Sequence, residues 1–394
     1  MKKKDKGSID LGFWKGVKEN TAAQKRPILT LAPMADVTDA AFRRIIAKYS
    51  RMGKVGGGPD VMWTEFVSAD GLCSPGREVL LRDLAFSEDE RPIVAQLFTS
   101  HPDKMRKAAR LVAACGFDGL DINMGCPDRS IEKQKAGAAM MKDPENAIAV
   151  INAAREGVKD LLGEGLLESD PEHRVIPVSV KTRIGYNKVD LDWIRVLLEQ
   201  KLPVLTIHLR TRKEMSDVPA HWELMPEIVK LRDEISPETL IIGNGDVESL
   251  ADAEEKAKKS GCDGIMFGRA IFGNPWLFEN TVPSTEHLVR SPENPNSVLG
   301  TRNSVLKSEG SHNAPFKFSS KMIIESLRVM VEHTELFMEL LGDVKSFAVM
   351  KKHYKAYVNG WDGAKELRVK LMEANDAKEV RLVVDNYIAD LSDR

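Results

Sequence analysis

Eight short apolar runs recur along the chain, at 28–33, 61–67, 92–98, 119–124, 176–183, 204–210, 240–246 and 264–269. No other feature limits the possible folds so strongly. Between most of them lie stretches with amphipathic helical spacing, such as 103–115, 144–158, 191–200, 226–234 and 249–260. Strands that alternate with helices pair in parallel, because each helical crossover returns the chain to the same edge of the sheet. Eight such units predict an α/β fold, the (β/α)8 TIM barrel; a doubly wound open sheet would usually carry fewer strands. Beyond the eighth run, residues 283–317 are rich in turn formers and poor in apolar period, and read as a mobile linker or insertion. Helical period then returns, which predicts a C-terminal all-helical domain. The expected organisation is a tail over 1–27, a barrel over 28–282, the linker over 283–317 and helices over 318–394.

Composition narrows the function class. The net charge of −2 supplies no global field toward nucleic acid, so any RNA contact must come from a local patch. The four cysteines, Cys73, Cys115, Cys126 and Cys262, show neither CxxC spacing nor a matching histidine cluster, which argues against a structural metal site. Reduced thiols fit a cytoplasmic protein. No signal-peptide core follows the basic start, and no run is long enough to span a bilayer, so no membrane association is expected. Nothing in the sequence implies a stable protein partner.

Polar residues gather where the strands end, and in a barrel those ends converge on one mouth. Gly119-Leu120-Asp121-Ile122-Asn123-Met124 reads as a buried strand that breaks at Gly125 and Pro127, displaying Cys126 between the two breakers. Pro33, Met34 and Ala35 follow the first strand, Gln96 sits in the third, and Lys181 and Arg183 end the fifth. His208 and Arg210 end the sixth, Asn244, Gly245 and Asp246 the seventh, and Gly268 and Arg269 the eighth. Glycines at the last two ends, beside a guanidinium, suit a phosphate. Lys181 at an inward position needs an electron-rich partner, which a reduced flavin would supply, and the Gln96 amide suits the edge of a flavin pyrimidine ring.

These segments resemble the tRNA-dihydrouridine synthase family, nearest its bacterial B-type branch. The resemblance runs through Leu31-Ala32-Pro33-Met34-Ala35, Ala95-Gln96-Leu97, Asn123-Met124-Gly125-Cys126-Pro127, Val180-Lys181-Thr182-Arg183, His208, Asn244-Gly245-Asp246 and Gly268-Arg269, covering about residues 28 to 280. It implies FMN as cofactor, NADPH as transient reductant and tRNA as partner. It further implies that Pro33, Met34 and Ala35 line the flavin, that Gln96 and Lys181 hold its ring, and that Asn244, Gly245, Asp246, Gly268 and Arg269, with His208 nearby, take its ribityl phosphate. Cys126 would be the proton donor when a uridine C5=C6 bond is reduced, with Asn123, Arg183 and Arg210 toward the substrate. The sequence departs from the family's pattern at Leu209, at Asp36, where a glycine is usual, and in the long 283–317 segment.

A basic run, Lys345, Lys351, Lys352, His353 and Lys355 with Tyr354 and Tyr357 interleaved, is a candidate tRNA-backbone surface. No GxGxxG follows a strand, so the nicotinamide is expected to dock transiently rather than in a Rossmann domain. Three rival readings stay open: an aldolase-like lyase using Lys181 as a Schiff base, a flavin-dependent dehydrogenase of a free pyrimidine, and a non-catalytic tRNA-binding protein.

Overall fold

Strands β1 (Ile28–Leu31), β2 (Val61–Ser68), β3 (Ile93–Phe98), β4 (Gly119–Met124), β5 (Val178–Arg183), β6 (Val204–His208), β7 (Leu240–Asn244) and β8 (Gly264–Phe267) close into a barrel in sequence order. All eight neighbouring pairs are parallel. In this computed structural model residues 8–160, 175–279 and 319–392 are described; the 283–317 linker lies outside them. The expected barrel with C-terminal helices is what the chain forms, each strand lying within a residue or two of its apolar run.

Crossover helices begin where the sequence offers an acceptor for their free N–H groups. Asp143 accepts from Asn146 N at 3.1 Å before the Pro144–Gly157 helix, and Ser249 accepts from Asp252 N at 3.1 Å before Leu250–Ser260. Gly261, at φ +74°, ends the latter in the left-handed region that a side chain disfavours.

By its contacts the chain divides into two units, Met1–Ala35 with Pro59–Gly268, and Asp36–Gly58 with Arg269–Arg394. Within the first, alternate residues of each strand line the barrel. Toward the strand starts these are apolar, and Ile28, Val61, Trp63, Val94, Val204, Leu240 and Ile242 form one core cluster with Trp14. Trp14 opens the Trp14–Ala23 helix, inside the segment read from sequence as a tail. Its indole is 1% exposed and lies 5.8 Å from Trp63. A Cβ on Gly119 would meet Phe13 at 3.1 Å, so this N-terminal segment lies against the start of β4. The correction has a plain cause: two adjacent aromatic rings bury more apolar surface than a solvated tail could offset.

The second unit packs the helices Ser320–Leu341, Ala348–Tyr357, Ala364–Glu373 and Ala377–Ser392 around Leu327, Met330, Phe337, Met350, Tyr354, Leu371 and Val380. Ala41 and Ile45 of the Ala40–Tyr49 helix join the same cluster, so the helix after β1 packs with this unit. Among the described residues no helix is long and apolar enough to cross a membrane.

Candidate active site

The loop after β4 carries Cys126, and its backbone is held from three sides. Asn123 Oδ1 accepts from Gly125 N at 3.1 Å and from Cys126 N at 2.9 Å, while the Cys126 carbonyl accepts from Ala138 N at 2.9 Å. Gly137, at φ +60°, allows that approach, since a Cβ there would sit 2.8 Å from the Cys126 carbonyl oxygen. Arg183 then clasps the loop: Nε donates to the Gly125 carbonyl at 2.9 Å, and Nη1 donates to the carbonyls of Thr211 and Met215, each at 3.1 Å. The guanidinium thereby ties the loop after β4 to the loop after β6. Burial lowers its pKa to about 10, and the nearby Arg210 and Arg212 add to the shift.

Burial also raises the Cys126 thiol pKa, opposed by the Asp128 N–H and by the charges of Arg183 and Lys181. A half-buried thiol of this kind is neutral at pH 7, as a proton donor must be and a thiolate nucleophile must not.

Below the loop runs a buried polar chain. Strand register sets Gln96 beside Asp121, Asp121 beside Ser179, and Asn123 beside Lys181. Asn123 Nδ2 donates to Gln96 Oε1 at 3.0 Å, Gln96 Nε2 donates to Asp121 Oδ2 at 2.7 Å, and Ser179 Oγ donates to Asp121 Oδ1 at 2.5 Å. Gln96 and Asp121 are wholly buried. Burial pushes the Asp121 carboxyl up to about 6, although the Ser179 and Gln96 hydrogen bonds and the Lys181 charge all favour its ionised form. Lys181 goes the other way, down to about 8, through burial and the Arg183 charge, opposed by Asp121 and Cys126. Its ammonium makes no direct hydrogen bond among the described residues.

On the other side of the mouth His208 sits between Arg183 and Asn244 in register. Asn244 Nδ2 donates to the Met266 carbonyl at 2.9 Å. Gly245 has φ +126°, and a Cβ on it would lie 2.8 Å from Ala220 and 3.9 Å from the His208 ring. At Gly268 an added Cβ would meet nothing within 4 Å, so space is open at the end of β8. Pro33 and Met34 are half-buried and Ala35 is exposed after β1. Arg210 and Asp246 face each other in an ion pair; the Arg210 side chain is 3% exposed and also donates from Nε to Val218 O at 2.5 Å, while Asp246 accepts from Ala220 N at 2.9 Å. Their charges are thus engaged in shaping the loop after β6.

The sequence shares its pattern with a known family along nearly its whole length: the description Dihydrouridine synthase (Dus) matches residues 30–392. The chain belongs to the dihydrouridine synthase family. It is 36% identical over 382 residues to the "Probable tRNA-dihydrouridine synthase" of Staphylococcus aureus (strain COL), covering 96% of this chain and 98% of that protein. To the "Probable tRNA-dihydrouridine synthase 2" of Bacillus subtilis (strain 168) it is 37% identical over 366 residues, covering 92% of this chain and 94% of the relative. As a member of this family the chain is a flavin-dependent oxidoreductase of pyrimidine-type substrates.

Within this dihydrouridine synthase the remaining sequence-derived candidates fall in the helical unit. Arg269 opens the short turn Arg269–Ile271. Lys351 Nζ donates to the Met372 carbonyl at 2.7 Å, and Lys352 pairs with Asp36 at 3.1 Å. Asp36 has φ +53°, in the left-handed region that favours glycine, and aspartate is among the side chains that tolerate it. His353, Tyr354 and Tyr357, read as interleaved with a basic surface, are instead 3%, 0% and 3% exposed. They sit at helical spacing with Met350 on the face that packs the core, and only Lys352 and Lys355 of that helix's basic residues are exposed.

Two features escaped the sequence reading. Asp121 stands in the sequence only as part of a motif, though an acidic residue inside a buried strand is a signal of a buried partner. The second is His221, held between Glu214 at 3.0 Å and Glu223 at 2.9 Å, whose hydrogen bonds raise its pKa. Since Glu214 also accepts from Thr211 N at 2.7 Å, this clamp shapes the loop that Arg183 grips.

Proposed function

We propose that this chain, as a member of the B-type branch, reduces the C5=C6 bond of uridines in tRNA to 5,6-dihydrouridine, with FMN as cofactor and NADPH as electron donor. The observation that carries this reading is the Cys126 thiol itself, held at the mouth on a loop braced by Asn123 and Arg183, where burial raises its pKa. Fit to the cofactor rests on two features: the buried ammonium of Lys181, which has no hydrogen-bond acceptor among the described residues, and the open space that a Cβ at Gly268 would enter. Lys181 would hold the electron-rich ring, Pro33, Met34 and Ala35 would line it, and Asn244, Gly245 and Gly268 would take the ribityl phosphate with His208 beside them. When bound, FMN supplies the hydride for C6 of the base.

Cys126 then gives its proton to C5, so that the enolate is quenched as it forms. Protonation requires the thiol to be neutral at the moment of reaction, and burial keeps it so. Arg183 and Asn123 contribute by fixing the thiol's loop. A base stacked inside tRNA cannot reach a barrel mouth, so the substrate nucleotide must leave its stack, with contacts elsewhere supplying the unstacking energy. Exposed lysines such as Lys352 and Lys355 suit the RNA backbone.

The test is direct. Purified protein with FMN and NADPH is incubated with tRNA from cells that lack it, and dihydrouridine is mapped by mass spectrometry. A yellow protein that forms dihydrouridine at defined positions is expected. A colourless protein, or reduction of free uridine in preference to tRNA, overturns the reading.

A further inference from the structure

We propose that Asp121 is a positioning residue of this site: its carboxylate fixes the amide orientation of Gln96, and through Gln96 and Asn123 it holds the Cys126 loop in one conformation. For the reaction that it serves, the inference rests on the function proposed above.

An amide side chain presents N–H and C=O on nearly identical shapes, so its partners alone decide which way it faces. An ionised carboxylate only accepts. Asp121 Oδ2 therefore compels Gln96 to turn Nε2 toward it, at 2.7 Å, and to leave Oε1 facing Asn123. That oxygen in turn compels Asn123 to donate through Nδ2, at 3.0 Å, and leaves Oδ1 to accept from Gly125 N and Cys126 N, at 3.1 and 2.9 Å. Reversing Gln96 sets oxygen against the Asp121 carboxylate and N–H against the Asn123 N–H, and reversing Asn123 sets oxygen against Gln96 Oε1 and N–H against the two loop N–H groups; away from water such unmade hydrogen bonds are costly. The order of donors and acceptors is thus set at one end of the chain and read out at the thiol at the other.

The groups that face Asp121 agree with this role. From β3 comes Gln96, from β5 the Ser179 hydroxyl and the Lys181 ammonium, and from β2 the neutral Trp63 indole. Lys181 and the two hydrogen bonds favour the ionised carboxylate that the chain needs, and burial opposes them, which leaves the group titrating near pH 6. Protonation would turn an acceptor into a donor and release the constraint on Gln96. Turnover should then fall on the acid side with a midpoint near 6.

The experiment uses the full-length flavin-loaded protein and the variants Asp121→Asn and Ser179→Ala. Two readouts are taken: the pH dependence of single-turnover dihydrouridine formation, and iodoacetamide alkylation of Cys126 relative to the exposed Cys115, resolved by peptide mass spectrometry. Asp121→Asn should lose about 10- to 100-fold in single-turnover rate with little change in KM for tRNA or in flavin content, and should lose the acid limb. Its Cys126 should be alkylated several-fold faster relative to Cys115. Ser179→Ala removes one donor to the carboxylate, so its acid limb should move up by about one pH unit. Wild-type alkylation ratios and an unmoved limb in both variants would overturn the proposal. If Asp121→Asn does not fold, Ser179→Ala decides alone by its limb. If the wild-type protein forms no dihydrouridine, the proposed reaction fails, and the alkylation ratios still decide whether Asp121 orders the loop.

Discussion

At the starts of the barrel strands the inward side chains are Ile28, Val61, Val94, Val204 and Leu240, packed on Trp14; toward the ends of the same barrel they are Gln96, Asp121, Asn123, Lys181, Arg183 and His208. Both sets are largely removed from water, yet burial does different things to them. At the first end it stabilises, at roughly 25 cal/mol for each Å² of apolar surface removed from water. At the second it penalises every charge it covers, raising Asp121 to about 6 and lowering Lys181 to about 8. Division of labour between stability and chemistry therefore runs along the strands, not between separate domains.

Four substitutions would break or sharpen this contrast. The largest effect is expected from Cys126→Ala, which should cost as much as about 10⁴-fold in turnover on tRNA while flavin content, its reduction by NADPH and the unfolding midpoint stay as in the wild type. Retained turnover would remove the thiol from the chemistry. Trp14→Ala tests the other end: truncating a wholly buried aromatic should cost about 3–5 kcal/mol in urea unfolding and leave turnover per folded molecule unchanged. A loss of turnover without a loss of stability would show that the two ends are not independent.

A smaller loss, about 3 kcal/mol, is expected from Arg26→Met. This side chain pairs with Asp60 through two bonds of 2.7 Å near the strand starts, with 5% and 9% of the two side chains exposed, and its removal strands a buried carboxylate. Unfolding curves at neutral pH decide it; an unchanged midpoint would mean that water replaces the guanidinium.

The last effect has the opposite sign. The folded pKa of Lys181, about 8, lies below the ordinary lysine value of about 10.4, so the unfolded chain binds more protons between those values and stability rises with pH across that window. Below about pH 8 the ammonium's full penalty is present. Lys181→Met should therefore be more stable than the wild type at pH 7, lose that advantage as the pH approaches 10, and bind flavin more weakly. Parallel unfolding midpoints for the two proteins from pH 7 to 10 would show that burial does not strain the lysine.

Much of this is legible in the sequence. The eight strands fall where apolar runs predicted them because a strand buried on both faces needs little beyond an uninterrupted apolar stretch. The loop at Cys126 is legible from Gly125, which weakens a strand, and Pro127, which has no N–H to give a ladder. Less accessible were residues whose environment depends on a distant segment. Trp14 looked like part of a tail because nothing local shows what an isolated aromatic will cover. His353, Tyr354 and Tyr357 looked like a nucleic-acid surface because a basic helix with aromatics reads alike whether its rings face water or a core. Arg210 and Asp246 were both placed at strand ends, but their mutual pairing across 36 residues was invisible.

The amino-acid sequence alone determined the period of the elements, their number and the polar character of the strand ends, because those follow from the burial preference and backbone freedom of each residue with its immediate neighbours. Tertiary structure decided which polar group answers which: Gln96 to Asp121 across 25 residues, Asp121 to Ser179 across 58, and Arg183 to Gly125 across 58. Hydrogen bonds hold over about 3 Å and within a narrow range of angles, so their partners exist only once strand register has been set, and register belongs to the closed barrel as a whole.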